Sequence, residues 1–151
     1  MKTEIVLTPE AEEPRAVIYT ASVTEQVRRA EALLLAEGSG GPLTVTDQGK
    51  LFVLEAAKVY LVRVENEKTA VYDGSRRYLC SKRLYEVENQ LHAAGLSPGF
   101  LRVSKACLVN LGCLDYVEPT WGGLLELTLK NGCKECISRK YLPGFKAYLG
   151  L

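Results

Sequence analysis

One segment in the last third of the chain, FLRVSKACLVNL at residues 100–111, constrains the fold most strongly. Apolar and polar residues alternate from residue 101 to residue 104, which predicts a β-strand with one buried face and with Arg102 on the other face. Lys105 follows where this strand should end. The apolar run that begins at Cys107 then directs the chain back into the core, so Lys105 should lie in a rigid, exposed turn.

A second segment, ISRKYLPGFKAYL at residues 137–149, is organised in a similar way. A helix that began at Ser138 would meet Pro143 where a proline removes a backbone hydrogen bond. We therefore predict a separate turn over residues 138–142 and a helix that begins at Pro143, a residue that is acceptable in a first helical turn. Three residues of that helix should face the core: Phe145, Tyr148 and Leu149. Two exposed cationic turns on one scaffold suit a polyanion.

Together these segments resemble the LytTR-type DNA-binding domain, the mostly β module of many bacterial transcription regulators. In that family a motif F-x-R-x-H/S-x-S-x-x-V-N precedes a motif v-S-R-x-y near the C-terminus. The corresponding residues here are Phe100, Arg102, Ser104, Lys105, Ala106, Val109 and Asn110, then Ser138, Arg139 and Tyr141. The resemblance covers roughly residues 43–149. Two positions depart from the pattern, because Ser104 stands where many members have histidine and Ala106 where many have serine.

The resemblance implies an α+β fold that is mostly β, with an elongated β-sheet and a few helices. It also implies a sequence-specific transcription regulator that binds double-stranded DNA and is not an enzyme. The candidate DNA-contacting residues are Lys68, Arg102, Ser104, Lys105, Ser138, Arg139 and Lys140. Lysine and arginine would first bind phosphates, and Arg139 can also pair with guanine in the major groove. A homodimer on repeated half-sites is expected, because linking two weak sites raises the overall affinity.

Several alternatives stay open at this stage. Arg102 is equally well explained as a solvent-facing strand residue and as a phosphate clamp. Asn110 is better explained by a turn or by backbone hydrogen bonds than by a DNA contact. Lys68 lies in a loop with Glu65 and Glu67, two carboxylates that repel phosphate. The alternative function is a LytTR-like protein-interaction module that no longer binds DNA, which the two departures from the family motif and the acidic N-terminus favour.

Composition and charge agree with one ordinary globular domain. The chain has 151 residues, of which 47% are apolar and 25% charged. Residues 1–48 hold four Lys or Arg against eight Asp or Glu, whereas residues 49–151 hold fifteen against ten. This asymmetry favours an anionic partner for the larger part. No apolar run reaches the length of a membrane span, and the acidic N-terminus does not resemble a secretory signal, so we expect a cytoplasmic protein.

The residues give little support to a metal site or an enzyme. Of the five cysteines only Cys133 and Cys136 are close in sequence, and a strand would direct them to opposite faces. Structural zinc sites usually have four Cys or His ligands, so we predict no metal and no cofactor. The single histidine, His92, lies near the end of a predicted helix. No Gly-rich phosphate loop or hydrolase motif is present in the sequence.

Residues 1–42 are predicted to form a small β-β-α extension. Two β-prone runs, Glu4–Leu7 and Ala16–Thr20, precede a helix with a capping-box pattern at residues 22–25, where Ser22 would be the cap. This helix should end at about residue 36. The sequence GSGGP then makes a natural linker to the main domain.

Residues 43–151 are predicted to be the DNA-binding domain and are rich in strand patterns. Ser81 should cap a helix that ends at about Ala94, with Leu84, Val87 and Leu91 facing inward. Trp121-Gly122-Gly123 is expected to be a hairpin loop, and Asn131-Gly132 is a strong hairpin signal. The predicted strands are Thr44–Thr46, Leu51–Leu54, Val59–Val64, Thr69–Tyr72, Arg77–Leu79, 100–103, 113–118, 124–129 and 133–137.

Overall fold

A computed structural model describes residue 4, residues 16–35 and residues 41–151 of the chain. The mostly β, α+β class predicted from the sequence is confirmed. In chain order the elements of these residues are α1 (Glu25–Leu35), β1 (Leu43–Asp47), β2 (Lys50–Leu54), β3 (Leu61–Glu65), β4 (Lys68–Tyr72), β5 (Arg77–Cys80), α2 (Leu84–Ala93), β6 (Phe100–Ser104), β7 (Cys107–Asn110), β8 (Leu114–Pro119), β9 (Leu125–Leu129), β10 (Lys134–Cys136) and α3 (Leu142–Leu149).

The strands of the described residues form two antiparallel sheets. The larger sheet has seven strands in the order β2-β1-β5-β4-β3-β7-β6, and the smaller has the order β10-β9-β8. Most neighbours are joined by short hairpins, which is the simplest connection between antiparallel strands. The β3–β4 turn uses Asn66 and Glu67 at φ values of 48° and 64°, the left-handed conformation that a two-residue hairpin requires.

The centre of the larger sheet is buried on both faces, which gives a three-layer structure. Helix α2 covers one face, and the smaller sheet with α3 covers the other. Two successive residues of a strand are therefore both buried, one on each face of the sheet, as Leu61 and Val62 are. The helix-side core includes Val62, Val71, Val87, Leu91 and Leu108, and the sheet-side core includes Leu61, Val103, Leu127, Ile137 and Phe145.

The N-terminal extension differs from the prediction where the structure describes it. Residues 16–20 form no strand there, because a short β-prone run needs a hydrogen-bonded partner strand to become regular. The other predicted strand, Glu4–Leu7, lies outside the described residues except for Glu4. Helix α1 begins at Glu25, and the Thr24 hydroxyl accepts the Val27 N–H at 3.4 Å, so Thr24 caps the helix in place of Ser22.

In residues 43–151 the predicted strands agree with the structure within one or two residues, but the strand β7 was not predicted. Helix α2 begins at Leu84, three residues after the predicted cap Ser81. The Glu86 carboxylate accepts the Arg83 N–H at 2.7 Å, so the helix start is stabilised by a residue inside the helix. The inward direction of its predicted apolar residues is confirmed.

The C-terminal segment contains a separate turn followed by a short helix, as predicted. Helix α3 begins at Leu142, one residue before Pro143. Phe145 is fully buried and Leu149 packs against the sheet-side core, but Tyr148 is exposed, because an eight-residue helix on the edge of the core buries only one narrow side. No helix in the described part of the chain is both long and apolar enough to cross a membrane.

Candidate nucleic-acid interface

Two turns that carry lysines lie side by side at one end of the larger sheet. Strands β3 and β7 are antiparallel neighbours, with Arg63 opposite Cys107. The β3–β4 turn and the β6–β7 turn therefore project from the same end. The Val64 N–H donates to the Ala106 carbonyl at 2.9 Å, which ties the second turn to the strand that leads into the first. Lys68 begins β4 directly after the first turn.

The turn between β10 and α3 is joined to the same end. The Ser138 N–H donates to the Val103 carbonyl of β6 at 2.9 Å. The Ser138 carbonyl in turn accepts the N–H groups of Tyr141 and Leu142, each at 3.0 Å. This bonding closes residues 138–142 into a turn and leaves the side chains of Arg139 and Lys140 exposed. We call the exposed cations of these turns, Lys68, Lys105, Arg139 and Lys140, the cationic turn surface.

The Lys105 turn is supported from below by a buried ion pair. The Arg102 guanidinium donates through Nε to Glu88 of α2 at 3.0 Å and through Nη1 to the Lys105 carbonyl at 2.8 Å. The Ser104 hydroxyl accepts the Ala106 N–H at 3.2 Å. These bonds fix the turn backbone while the Lys105 side chain points into solvent. Little ordering entropy therefore remains to be lost when a ligand binds the turn.

The expectation that Arg102 faces solvent is wrong, because only 8% of the residue is exposed. The alternation from residue 101 to residue 104 suggested one buried face, but β6 lies between α2 and the smaller sheet and buries both. A buried charge must be paired and hydrogen-bonded, and Glu88 supplies that partner. Arg102 thus lies beneath the Lys105 turn. Ser138, another candidate contact residue, is half-buried, and its backbone N–H and carbonyl form the hydrogen bonds of the neighbouring turn.

The Lys68 turn has a different, half-buried support. The Glu65 carboxylate accepts hydrogen bonds from Arg63, from the Tyr72 hydroxyl at 2.6 Å and from Arg77 at 2.9 Å. Partial burial opposes the charge on Glu65, but these three donors outweigh it and hold the pKa of the carboxyl below its usual range. Arg63 also reaches Glu135 of β10 at 3.0 Å, so the network joins the two sheets.

The repulsion expected at Lys68 is therefore smaller than the sequence suggested. The charge of Glu65 is compensated by two arginines, and only Glu67 remains as an exposed carboxylate in the turn. Lys68 itself is exposed opposite Glu65 in the strand register. Its position is consistent with a contact to an anion, although Glu67 lies one residue away.

Sequence reasoning missed some residues of this region. Glu88 follows Val87 on the inward stripe of α2, and a carboxylate on an apolar stripe is a signal that a buried cation must lie nearby. Lys82 and Arg83 follow β5 at the same end of the sheet as Lys68, because Cys80 pairs with Thr69. Lys82 donates to the side-chain oxygen of Gln90 at 2.7 Å.

Two residues that the sequence left open have structural roles. Asn110 is buried, donates to the Val59 carbonyl at 2.8 Å and accepts the Gly112 N–H at 3.0 Å, which confirms the backbone-bonding interpretation. His92 lies with Nε2 3.2 Å from the Phe100 carbonyl oxygen, near the end of α2. Neither side chain is part of the cationic turn surface.

The five cysteines are free thiols and are not part of the cationic turn surface. Cys80, Cys107 and Cys113 are buried, and burial raises the pKa of the Cys107 and Cys113 thiols. Cys133 is half-buried and Cys136 is exposed at the end of β10. Among the described residues no three His, Cys, Asp or Glu side chains are grouped as a metal site would require.

Comparison with known proteins identifies the family of this chain. The model of the LytTr DNA-binding domain family matches residues 49–150. The chain is 24% identical over 109 residues to the sensory transduction protein LytT of Enterococcus faecalis, covering 72% of this chain and 43% of that protein. It is 26% identical over 102 residues to an uncharacterized HTH-type transcriptional regulator of Staphylococcus aureus, covering 68% of this chain and 66% of that one. The chain thus spans less than two thirds of both relatives.

A solved structure shows the same fold. The LytTr DNA-binding domain of a Bacillus cereus protein superimposes with a TM-score of 0.65 at 21% sequence identity, covering 74% of this chain and 98% of that domain. The match of the family model extends over more than half of the chain and includes all the turns of the cationic turn surface. The chain belongs to the LytTr DNA-binding domain family.

Proposed function

We propose that this chain is a sequence-specific transcription regulator that binds double-stranded DNA through the cationic turn surface. One observation carries the proposal. Three turns that are distant in sequence converge at one end of the larger sheet, and each combines an exposed cation with a hydrogen-bonded backbone. Preorganised positive charges of this kind suit the phosphates of a duplex.

The residues of this surface have different roles in the proposal. Lys68, Lys105 and Lys140 bind phosphates, because an ammonium group is a point charge without the planar fork of a guanidinium. Arg139 has that fork and pairs with N7 and O6 of a guanine. Arg102 acts as a positioning residue that holds the Lys105 carbonyl. Ser104 and Ser138 add hydrogen bonds close to the phosphates.

Recognition by turns has consequences for how DNA is read. The surface contains no recognition helix, so the turns contact successive grooves along one side of the duplex. Two copies on repeated half-sites raise the affinity through effective concentration, which is why we propose a homodimer at promoter DNA in the cytoplasm. We also propose that the chain acts in a response regulator-like protein, and the likeness to the sensory transduction protein LytT supports a role in signal transduction.

The alternative is a protein-interaction module that keeps the fold and does not bind DNA. Leu51 and Val53 on the edge strand β2 are exposed and favour this alternative, because exposed apolar strand residues are typical of contact surfaces. These residues lie at the opposite edge of the larger sheet from β6.

The affinity of the purified chain for duplex DNA from the upstream region of its own operon, measured by gel shift at two salt concentrations, separates the two functions. A DNA-binding regulator shows a complex that weakens steeply as salt increases, and it prefers the upstream duplex to an unrelated one. The absence of a complex at both salt concentrations would contradict the proposal and support the interaction module.

A further inference from the structure

The tip of the β8–β9 hairpin exposes the only tryptophan of the chain. Trp121 is 96% exposed, the largest value among the exposed apolar residues of the described chain. The turn is closed by the Thr120 N–H, which donates to the Leu124 carbonyl at 2.8 Å. Gly122 and Gly123 have φ values of 73° and 77°, a conformation that glycine adopts without strain. The indole therefore projects from a turn with a defined backbone.

This hairpin tip adjoins the cationic turn surface. The Ile137 N–H donates to the Leu125 carbonyl at 2.9 Å, which places the tip beside the start of the Ser138 turn. A Cβ atom built on Gly122 would lie 3.6 Å from Nη2 of Arg139, so the guanidinium lies against the glycine. Trp121 is thus the chain neighbour of Gly122, which lies against Arg139, the residue proposed to bind guanine.

The chemistry of the tip differs from that of the other turns. Residues 120–124 carry no charged side chain, and Glu118 and Glu126 are paired across β8 and β9 behind them, so the tip adds no positive charge for phosphates. It offers a flat aromatic surface, and leaving an indole in water forgoes the free energy of its burial. Because the side chain packs on nothing in the core of the described residues, its exposure is better explained by a ligand than by folding.

We propose that Trp121 is a further DNA-contacting residue, whose indole packs against deoxyribose and base edges in the minor groove next to the groove that Arg139 enters. Proteins that bind the minor groove combine cationic side chains with apolar ones that pack against base steps, and aromatic side chains also stack on bases of single strands. The contact contributes affinity without neutralising a phosphate. This inference rests on the proposed DNA binding, and it adds a contact that is apolar and independent of salt.

The experiment uses the fluorescence of Trp121, which reports on this site alone because the chain has no other tryptophan. Unlabelled upstream duplex is titrated into the protein, and binding is measured in parallel by the anisotropy of a labelled duplex. We expect the emission to change with the same dissociation constant and acrylamide to quench the complex less than the free protein. Trp121→Ala should lower the affinity about tenfold, within the range of aromatic–base contacts.

Two variants test whether Trp121 contacts the DNA or only lies near it. Trp121→Phe should keep most of the affinity, and Trp121→Ala should keep the slope of log K against log salt, since no charge is removed. If anisotropy reports binding while the emission of the wild-type protein stays unchanged, or if Trp121→Ala binds with the wild-type affinity, the inference is overturned and the proposed function stays intact. No binding in the anisotropy measurement would overturn the proposed function, and the inference with it.

Discussion

The two lysine turns at the end of the larger sheet are held in different ways. Beneath Lys105 is a single buried ion pair, in which Arg102 joins Glu88 to the turn carbonyl. Beside Lys68 is a half-buried network in which Glu65 is shared by several donors. Among the described residues Glu88 is the one carboxylate that pairs with Arg102, whereas the Glu65 network is partly solvated and redundant. The side-chain support beneath the Lys105 turn should therefore depend on one ion pair, whereas the support beside Lys68 is shared among several donors.

The two turns also differ in the number of carboxylates next to their lysines. Lys105 has no carboxylate within its turn, because Ser104 and Ala106 flank it. Lys68 directly follows Glu67, which is exposed and opposes its attraction to a phosphate. Lys105 thus has no opposing carboxylate within its turn, whereas Lys68 has Glu67, and we expect Lys105 to contribute more to DNA affinity.

The largest effect should follow from breaking the buried ion pair. Arg102→Ala leaves the Glu88 carboxylate buried without its partner, which costs about 3–5 kcal/mol of the free energy of unfolding. Urea denaturation followed by circular dichroism measures this cost. The double variant Arg102→Met with Glu88→Leu removes both charges and should be much more stable than Arg102→Ala. Equal stability of Arg102→Ala and the wild type would show that the pair does not support the turn.

Arg139 extends the comparison to the third turn. Arg139→Ala should cost about 1–3 kcal/mol of binding free energy on the cognate duplex and relax the preference at one base position. The measurement is an affinity series over duplexes that each carry one base substitution. An equal loss on every sequence would assign Arg139 to a phosphate, and unchanged binding would remove it from the interface.

The Glu65 network should respond to acid in a predictable direction. The pKa of Glu65 is lowered in the folded state, so the unfolded chain binds more protons as the pH falls through the carboxyl range. Its contribution to stability is present above the unfolded pKa and is lost as the pH falls through the folded one. Glu65→Gln should lower the unfolding free energy by about 1 kcal/mol at neutral pH and flatten its acid dependence.

Glu67→Gln is the matched control for that prediction, because Glu67 is exposed in the same turn. Its stability should follow the wild-type pH dependence in denaturation experiments between neutral and acidic pH. If Glu65→Gln also follows the wild-type curve, the hydrogen bonds to Glu65 do not stabilise the fold.

Lys68 should give the smallest effect. Lys68→Ala is expected to lower DNA affinity by about 0.5 kcal/mol, the scale of an exposed ion pair. Glu67→Gln should raise the affinity, because it removes the carboxylate next to Lys68. Anisotropy titrations of both variants test the comparison between the turns. A larger loss for Lys68→Ala than for Lys105→Ala would reverse their order.

The sequence predicted local features well and tertiary partners poorly. Hairpin turns, most strands and the turn before α3 could be predicted, because glycine, asparagine and proline restrict the backbone locally. The family motif also indicated the turns that carry Lys105 and Arg139. The strand β7 was missed because all four of its residues are buried and show no alternation.

Long-range pairing accounts for the other errors. The exposure of Arg102 could not be predicted, because it depends on a carboxylate fourteen residues away in a helix that packs over the strand. The network of Glu65 joins four strands and could not be inferred from spacing along the chain. The capping positions of α1 and α2 each shifted by two residues, since several polar residues near a helix start compete for the role.

The most direct test of DNA binding through the cationic turn surface is the salt dependence of Lys105→Ala. Lys50→Ala is the matched control, because Lys50 is also an exposed lysine beside a hairpin turn but lies at the opposite end of the larger sheet. With one phosphate contact removed, Lys105→Ala should weaken binding to all duplexes nearly uniformly and reduce the slope of log K against log salt by about one. Lys50→Ala should match the wild type. A folded Lys105→Ala variant with unchanged affinity and unchanged slope would contradict the proposed interface.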